Sequence, residues 1–258
     1  MCARRLSLDA PPASMSFDHI ALLTAAVFIV AMLYSSVGHA GASGYIAVMS
    51  LFHLAPSEIK PTALALNILV ACIGAWQFWR AGWFSWRLFW PFAVLSVPLA
   101  FLGGRMNLPA HAFKILVGIV LLISAAHFFL RPSSDEERST PPRPLAIGIG
   151  GGLGLLSGLT GTGGGIFLTP MLLAMRWART RTAAAVSALF ILVNSIAGLL
   201  GNVSATKYFP AFAIPLAIAA IAGGVIGSHF GSRRLPHTAI KRLLALVLTI
   251  AGCKLILT

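Results

Sequence analysis

Four long stretches of the 258-residue chain carry no formal charge: those between Asp18 and Glu58, from Pro144 to Met175, from Thr182 to Thr206 and from Tyr208 to Ser232. Each can hold at least one helix of about 20 residues, enough to cross roughly 30 Å of hydrocarbon. A charge at the centre of such a helix costs about 2.5–3.5 kcal/mol on the insertion scale, which accounts for the gaps. Charged residues are 10% of the chain and hydrophobic residues 58%, with a mean hydropathy of +0.88. Soluble domains carry about 25% charged residues. The sequence therefore predicts an all-α polytopic membrane protein, multi-pass in a bacterial-type inner membrane. A β-barrel would instead show weak alternating segments of about ten residues.

The net charge of +13 does not point to nucleic acid. Lys and Arg sit in short links between apolar segments, where they act as topology signals and can draw anions toward the surface. Cys2, Cys72 and Cys253 show no metal or disulfide spacing, and the last two read as packing residues. No cofactor and no metal are expected. At the N-terminus, Arg4 and Arg5 are followed by Asp9 and two prolines with no cleavage site, so no signal peptide is read. Met15 looks like a natural start, and residues 1–18 read as a tail.

The architecture follows from an internal repeat. "LPAHAFKILVGIVLLISAAHFFL" (Leu108 to Leu130) aligns without gaps onto "LPHTAIKRLLALVLTIAGCKLIL" (Leu235 to Leu257), with the Leu-Pro start and Lys114/Lys241 in register. Between the copies lies "RPSSDEERSTPPRP" (Arg131 to Pro144), polar and proline-rich, as a solvated linker is. The predicted units are a first membrane repeat at 19–131, a cytoplasmic linker at 132–143 and a second repeat at 144–258. Helices are predicted at 19–37, 62–79, 88–104 and 111–130, then at 144–160, 182–201, 208–230 and 238–257. Two short apolar pieces, 43–54 and 165–175, complete two homologous halves, each of about four full spans plus one short glycine-broken helix. Such a piece, at 1.5 Å per residue, reaches only about half the hydrocarbon thickness.

Each short piece follows a glycine-rich break, "GHAGASG" (Gly38 to Gly44) or "GTGGG" (Gly161 to Gly165). A phosphate-binding P-loop would need a Gly-Lys pair, and the dinucleotide pattern fails at Ile166. In a membrane, glycines end one helix so that the next starts inside the bilayer with free N–H groups and a positive dipole end. That end suits an anion, and paired short segments of this kind point to a transporter's binding site. The other reading is close helix packing, which fits the four-residue spacing of Gly150, Gly154 and Gly158 and of Gly223, Gly227 and Gly231.

The stretch "GLLSGLTGTGGGIFLTPMLL", followed by "TAAAVSALFILVNSIAGLLG", resembles the TauE/SafE family, membrane proteins associated with export of sulfite and related sulfur-containing anions. "YSSVGHAGASGYIAVMSLFHLAPSEIKPTALALNILVACIGAW" fits the same plan in the first half, and the likeness covers nearly all of 19–258. The first half departs from the family's triple glycine, with Ala42-Ser43-Gly44 in its place and His39 among the glycines. The resemblance implies a transporter, with sulfite as the default substrate; the paired glycine breaks predict that it carries small anions by alternating access around a midplane site.

No Asp or Glu falls inside a predicted span, Asp18 and Glu58 lying at segment edges; this argues against a carboxylate proton relay or a carboxylate-bound cation. The candidate binding set is Gly161, Thr162, Gly163, Gly164 and Gly165 at the second break and Gly41, Ser43 and Gly44 at the first. Asn67, Asn194 and Ser187 join it from the helices that follow, with Thr160 beside them. Asn67 and Asn194 could equally tie helices together. His39 could carry a coupling proton or rest neutral on a backbone carbonyl. His127 and His229 fall near helix ends and read as structural. Five tryptophans between Trp76 and Trp90 cluster with Arg80 and Arg87 as an interface belt.

Expected partners are a small anion and the lipid bilayer, with association between copies left open. A passive anion channel could use the same breaks. An intramembrane serine hydrolase built on Ser157, or on Ser228 with His229, is weak: Ser157 lacks the G-x-S-x-G spacing, and helix neighbours cannot face each other. If both short pieces cross, twelve Lys and Arg lie on the linker side and seven on the other. This predicts ten segments with both termini outside.

Overall fold

The structure, a computed structural model, describes residues 17–36, 39–106, 108–130, 139–207, 209–210 and 212–231, with Thr249, Cys253 and Ile256. Most of the predicted tail, most of the linker and most of the predicted helix 238–257 lie outside the described residues. Among those described, all regular structure is helical. The helices are α1 (Phe17–Ser36), α2 (Ala42–Leu51), α3 (Pro56–Arg80), α4 (Trp86–Arg105), α5 (Ala110–Leu130), α6 (Arg143–Thr160), α7 (Gly165–Ala174), α8 (Thr180–Thr206) and α9 (Ala213–Gly231). Among the described residues, three helices are long and apolar enough to cross a membrane: α3, α4 and α8, the last over Arg181–Thr206.

Most boundaries match the sequence pattern within the one- or two-residue fraying of helix ends. α3 is the main exception, starting six residues before the expected 62. Pro56 opens it, and Glu58 Oε2 accepts the Ala55 N–H at 3.2 Å. That is half of a capping box on a proline start. Glu58 and Lys60, read as link residues, are therefore helical. α8 runs five residues past the expected 201 until Lys207 turns left-handed, and α9 starts at Ala213, five residues after the expected 208.

The short helices match each other in detail. Gly41 precedes α2 and Gly164 precedes α7, both left-handed, with φ 99° and 75°. Both helices end on a left-handed residue that is not glycine, His53 (φ 59°) and Arg176 (φ 55°). Leu54 N–H donates to Met49 O at 3.2 Å and Trp177 N–H to Leu172 O at 2.9 Å, the six-to-one bond of a Schellman end.

Two buried apolar clusters surround these helices. Residues of α1, α2, α3, α5 and α9 enclose Tyr45, Ile46 and Met49, while α4, α6 and α8 enclose Leu168 and Leu172 of α7. α4 packs on α6 and α8, and α9 packs on α1 and α3. Small residues permit the closest approaches. A Cβ on Gly150, Gly154 or Gly158 would strike the α4 backbone at Phe92, Ser96 or Ala100, and one on Gly223 or Gly227 would strike α1 at Phe28 or Met32. The outer surface is apolar, with Ile214 and Ile218 of α9 exposed by 65% and 67%. Cys72 and Cys253 are also exposed rather than packed, contrary to the sequence reading. Polar side chains such as Ser96, Asn67 and Asn194 are buried instead, the distribution expected where the surrounding medium is lipid.

Candidate functional site

The second break is a tight turn between two helix ends. α6 stops at Thr160, and Gly161 (φ 81°), Gly163 (φ 74°) and Gly164 (φ 75°) are all left-handed before α7 begins. L side chains rarely adopt this conformation, which explains why glycines crowd the segment. Gly161 N–H still bonds back to Ser157 O at 2.8 Å. The N–H groups of Gly163, Gly164, Gly165 and Ile166 find no acceptor among the described residues, and no side chain caps the helix. Every residue from Thr160 to Ile166 is buried. The result is a helix N-terminus with its donors free inside the protein.

Side chains from three helices close on this turn. From α3, Asn67 Nδ2 donates to Thr162 O at 3.3 Å and to Ser195 Oγ of α8 at 3.2 Å. A Cβ on Gly163 would strike that Nδ2 and lie 2.9 Å from Ser195 Oγ. Thr160 Oγ1 donates to Leu156 O at 2.7 Å, so the 2.9 Å bond between Thr160 and Thr162 must be donated by Thr162. From α6, the Ser157 Cβ lies 3.3 Å from the Cβ position of Gly164, and from α8 the Ser187 carbonyl lies 3.4 Å from that of Gly165. Ser157 Oγ, Ser187 Oγ and Asn67 Oδ1 are buried without a partner among the described residues. Each such atom costs about 1–3 kcal/mol in a protein interior.

The first break is built differently. Among its described residues only Gly41 is left-handed. Ser43 Oγ pairs with Tyr34 OH at 2.9 Å, and Gly44 sits against Val30 and Tyr34. Tyr45 OH, 3.0 Å from the Cβ position of Gly41, has no partner among the described residues. His39 is buried here and its N–H donates to Tyr34 O at 3.0 Å. The departure from a triple glycine thus appears as two tyrosines in place of extra left-handed turns.

The two asparagines separate. Asn67 faces the glycine turn, whereas Asn194 donates to Phe190 O at 2.8 Å and accepts from Ser96 Oγ, tying α8 to α4. Ser228 Oγ donates to Val225 O at 3.1 Å and pairs with Gln77 at 3.0 Å. The side chains of His127 and His229 lie outside the described residues.

One residue escaped the sequence reading. Lys60 is only 5% exposed. Its Nζ donates to the carbonyls of Gly103 (3.1 Å), Gly104 (2.9 Å) and Met106 (3.0 Å), closing the C-terminal end of α4. Its stem lies along the second break, with Cγ 3.4 Å from the Cβ position of Gly161. Pro56 followed by Glu58 was the available signal, since it places Lys60 on a helix.

The sulfite exporter TauE/SafE family matches residues 23–255, and this span takes in both breaks and the helices around them except the first residues of α1. The chain belongs to the TauE/SafE family. It is 41% identical over 239 residues to "Probable membrane transporter protein y4hK" of Sinorhizobium fredii (strain NBRC 101917 / NGR234), covering 91% of this chain and 97% of that one. It is 27% identical over 245 residues to "Probable membrane transporter protein YjnA" of Bacillus subtilis (strain 168), covering 88% and 96%. No solved structure matches the chain. Membership of TauE/SafE makes the chain a membrane transporter, with a small-molecule substrate and a lipid bilayer as its surroundings.

Proposed function

We propose that the chain moves a small anion, sulfite or a related sulfur-containing or organic anion, across a bacterial-type cell membrane by alternating access around the two glycine breaks. One observation carries this reading: four consecutive unused N–H groups at the buried start of α7, ringed by Asn67, Ser195 and an unpartnered Ser157. Free amide donors and a positive helix end stabilise negative charge. Asn67 adds to this by covering the Thr162 carbonyl, an oxygen that would otherwise repel an anion.

A repeat of two halves accounts for the packing. Matching α1–α4 with α6–α9 exchanges the pairing α4 on α6 and α8 for α9 on α1 and α3. The shared left-handed starts and Schellman ends of α2 and α7 fit the same match. Inverted repeats with broken helices at their interface suit alternating access.

Ser157→Ala tests the site directly. Removing a buried, unpartnered hydroxyl leaves the melting temperature unchanged or raises it. Anion affinity falls about tenfold, or ~1.4 kcal/mol, if that hydroxyl serves the ligand. Calorimetric binding of sulfite, thiosulfate and methanesulfonate to the purified protein gives the readout. Unaltered affinity for every anion that the parent protein binds would remove Ser157 from the site.

A further inference from the structure

We infer that Lys60 sets the charge preference of the anion site, weighting it toward ions of higher negative charge; this rests on the anion reading above. Lys60 belongs to α3, and its ammonium is inside the protein with all three hydrogens on backbone carbonyls. No carboxylate pairs with it among the described residues, and Glu58, two positions earlier, turns its Oε2 to the Ala55 N–H. Carbonyls satisfy hydrogen bonds but carry no net charge. The end of a helix offsets only about half an elementary charge, so a net positive field remains in a poorly screened interior.

That field falls on the second break. The Lys60 carbonyl oxygen is 3.2 Å, and its Cα and Cγ each 3.4 Å, from the Cβ position of Gly161. The helix end that Lys60 closes lies against the same turn of α6, since a Cβ on Gly103 would sit 2.5 Å from Leu155 O and 2.9 Å from Leu159 N. Stem and ammonium therefore flank the last turn before the free N–H groups. Lysine suits the place because a compact ammonium can direct three donors to three separate carbonyls, whereas a guanidinium is a flat fork. The lysine has a second electrostatic effect. Without it, the carbonyl end of α4 would present its own negative dipole to the arriving anion.

A fixed charge interacts with an ion in proportion to that ion's charge. A dianion therefore gains twice the free energy that a monoanion gains at the same position. A lysine that only capped α4 would change both affinities by one common factor, through the stability of the site.

Sulfate and methanesulfonate make the comparison, being tetrahedral sulfur oxyanions of similar size and different charge. Their dissociation constants are measured calorimetrically on the full chain in detergent, for the parent protein, Lys60→Met, Lys60→Gln and Lys60→Arg. The parent is expected to prefer sulfate. A neutral variant that weakens methanesulfonate about fivefold is expected to weaken sulfate about twenty-fivefold, because the Coulomb energy doubles. Lys60→Arg is expected to keep the parent's sulfate preference even where it lowers the melting temperature. Equal factors for the two anions in Lys60→Met or Lys60→Gln would reduce Lys60 to a helix cap and overturn the inference. If both neutral variants fail to fold, a parent protein that binds methanesulfonate more tightly than sulfate overturns it without them. A parent that binds neither probe, nor sulfite or thiosulfate, removes the anion reading itself.

Discussion

Gly163 and Gly82 hold nearly the same backbone angle, φ 74° and 73°, in different surroundings. A methyl on Gly82, in the turn between α3 and α4, meets nothing within 4 Å, whereas one on Gly163 strikes the Asn67 amide and crowds Ser195 and Ile191. Alanine costs about 1–2 kcal/mol of left-handed strain at either place. The two substitutions therefore separate strain from site. Gly82→Ala is expected to transport at the parent rate in proteoliposomes. Gly163→Ala is expected to remain in the membrane and lose at least tenfold in rate. Equal losses in the two would mean that strain alone is being measured.

The glycine turn was readable in the sequence because only a left-handed backbone needs so many glycines within five positions. The division of labour between Asn67 and Asn194 was not. Both lie in the helix after a short piece, and only the third dimension shows that Ser96 claims one while Thr162 and Ser195 claim the other. Lys60 was hidden for another reason. Counting charges treats a lysine near a helix start as a topology signal, and three carbonyls on a different helix are invisible to any local pattern.

Among elements, the contact between α4 and α6 depends on glycines at every turn of one face. Gly154 shows the requirement, since its Cβ would strike the Ser96 backbone, while Gly152 on the same helix has open space. Gly152→Ala is expected to stabilise the protein by up to about 1 kcal/mol through helix propensity. Gly154→Ala forces α4 away and is expected to cost about 1–3 kcal/mol, as overpacking does. Melting temperature and the monodisperse yield in detergent provide the check, and similar values for the two variants would refute the packing role. Helix positions were largely legible because uncharged length and glycine breaks both leave marks in sequence. The early start of α3 leaves no such mark, because Glu58 and Lys60 fall among its first five residues and charge is ordinarily a sign of a link.

For the whole molecule, orientation is the open quantity that physics addresses most directly. Arg80, Arg143 and Arg181 lie over the rings of Trp76, Trp90 and Trp83, at 6.0, 5.7 and 5.0 Å from the ring centroids. Trp76, Trp79 and Trp86 are exposed beside them. Aromatic rings prefer the headgroup level and Arg-rich links the cytoplasm. With ten crossings, both termini would face outward. A C-terminal reporter active only in the cytoplasm is then expected to stay silent, and the same reporter within 132–138 is expected to be active. A signal from the C-terminal fusion would sink this orientation.

The exchange of partners between early and late helices bears on how the chain is made. α4 leaves the ribosome well before α6 and α8, the helices it packs on, and α1 and α3 wait still longer for α9. Until α8 emerges, Ser96 lacks its partner Asn194 and Asn67 lacks Ser195, while Thr162 reaches Asn67 earlier with the turn after α6. Polar groups in lipid without partners are costly to hold and invite alternative pairing. Nascent α3 and α4 can still be joined through Lys60, whose three acceptors all belong to residues already synthesised. Lys60 thus ties α3 to the end of α4 with acceptors that precede α6 in the chain, whereas the bonds of Ser96 to Asn194 and of Asn67 to Ser195 wait for α8.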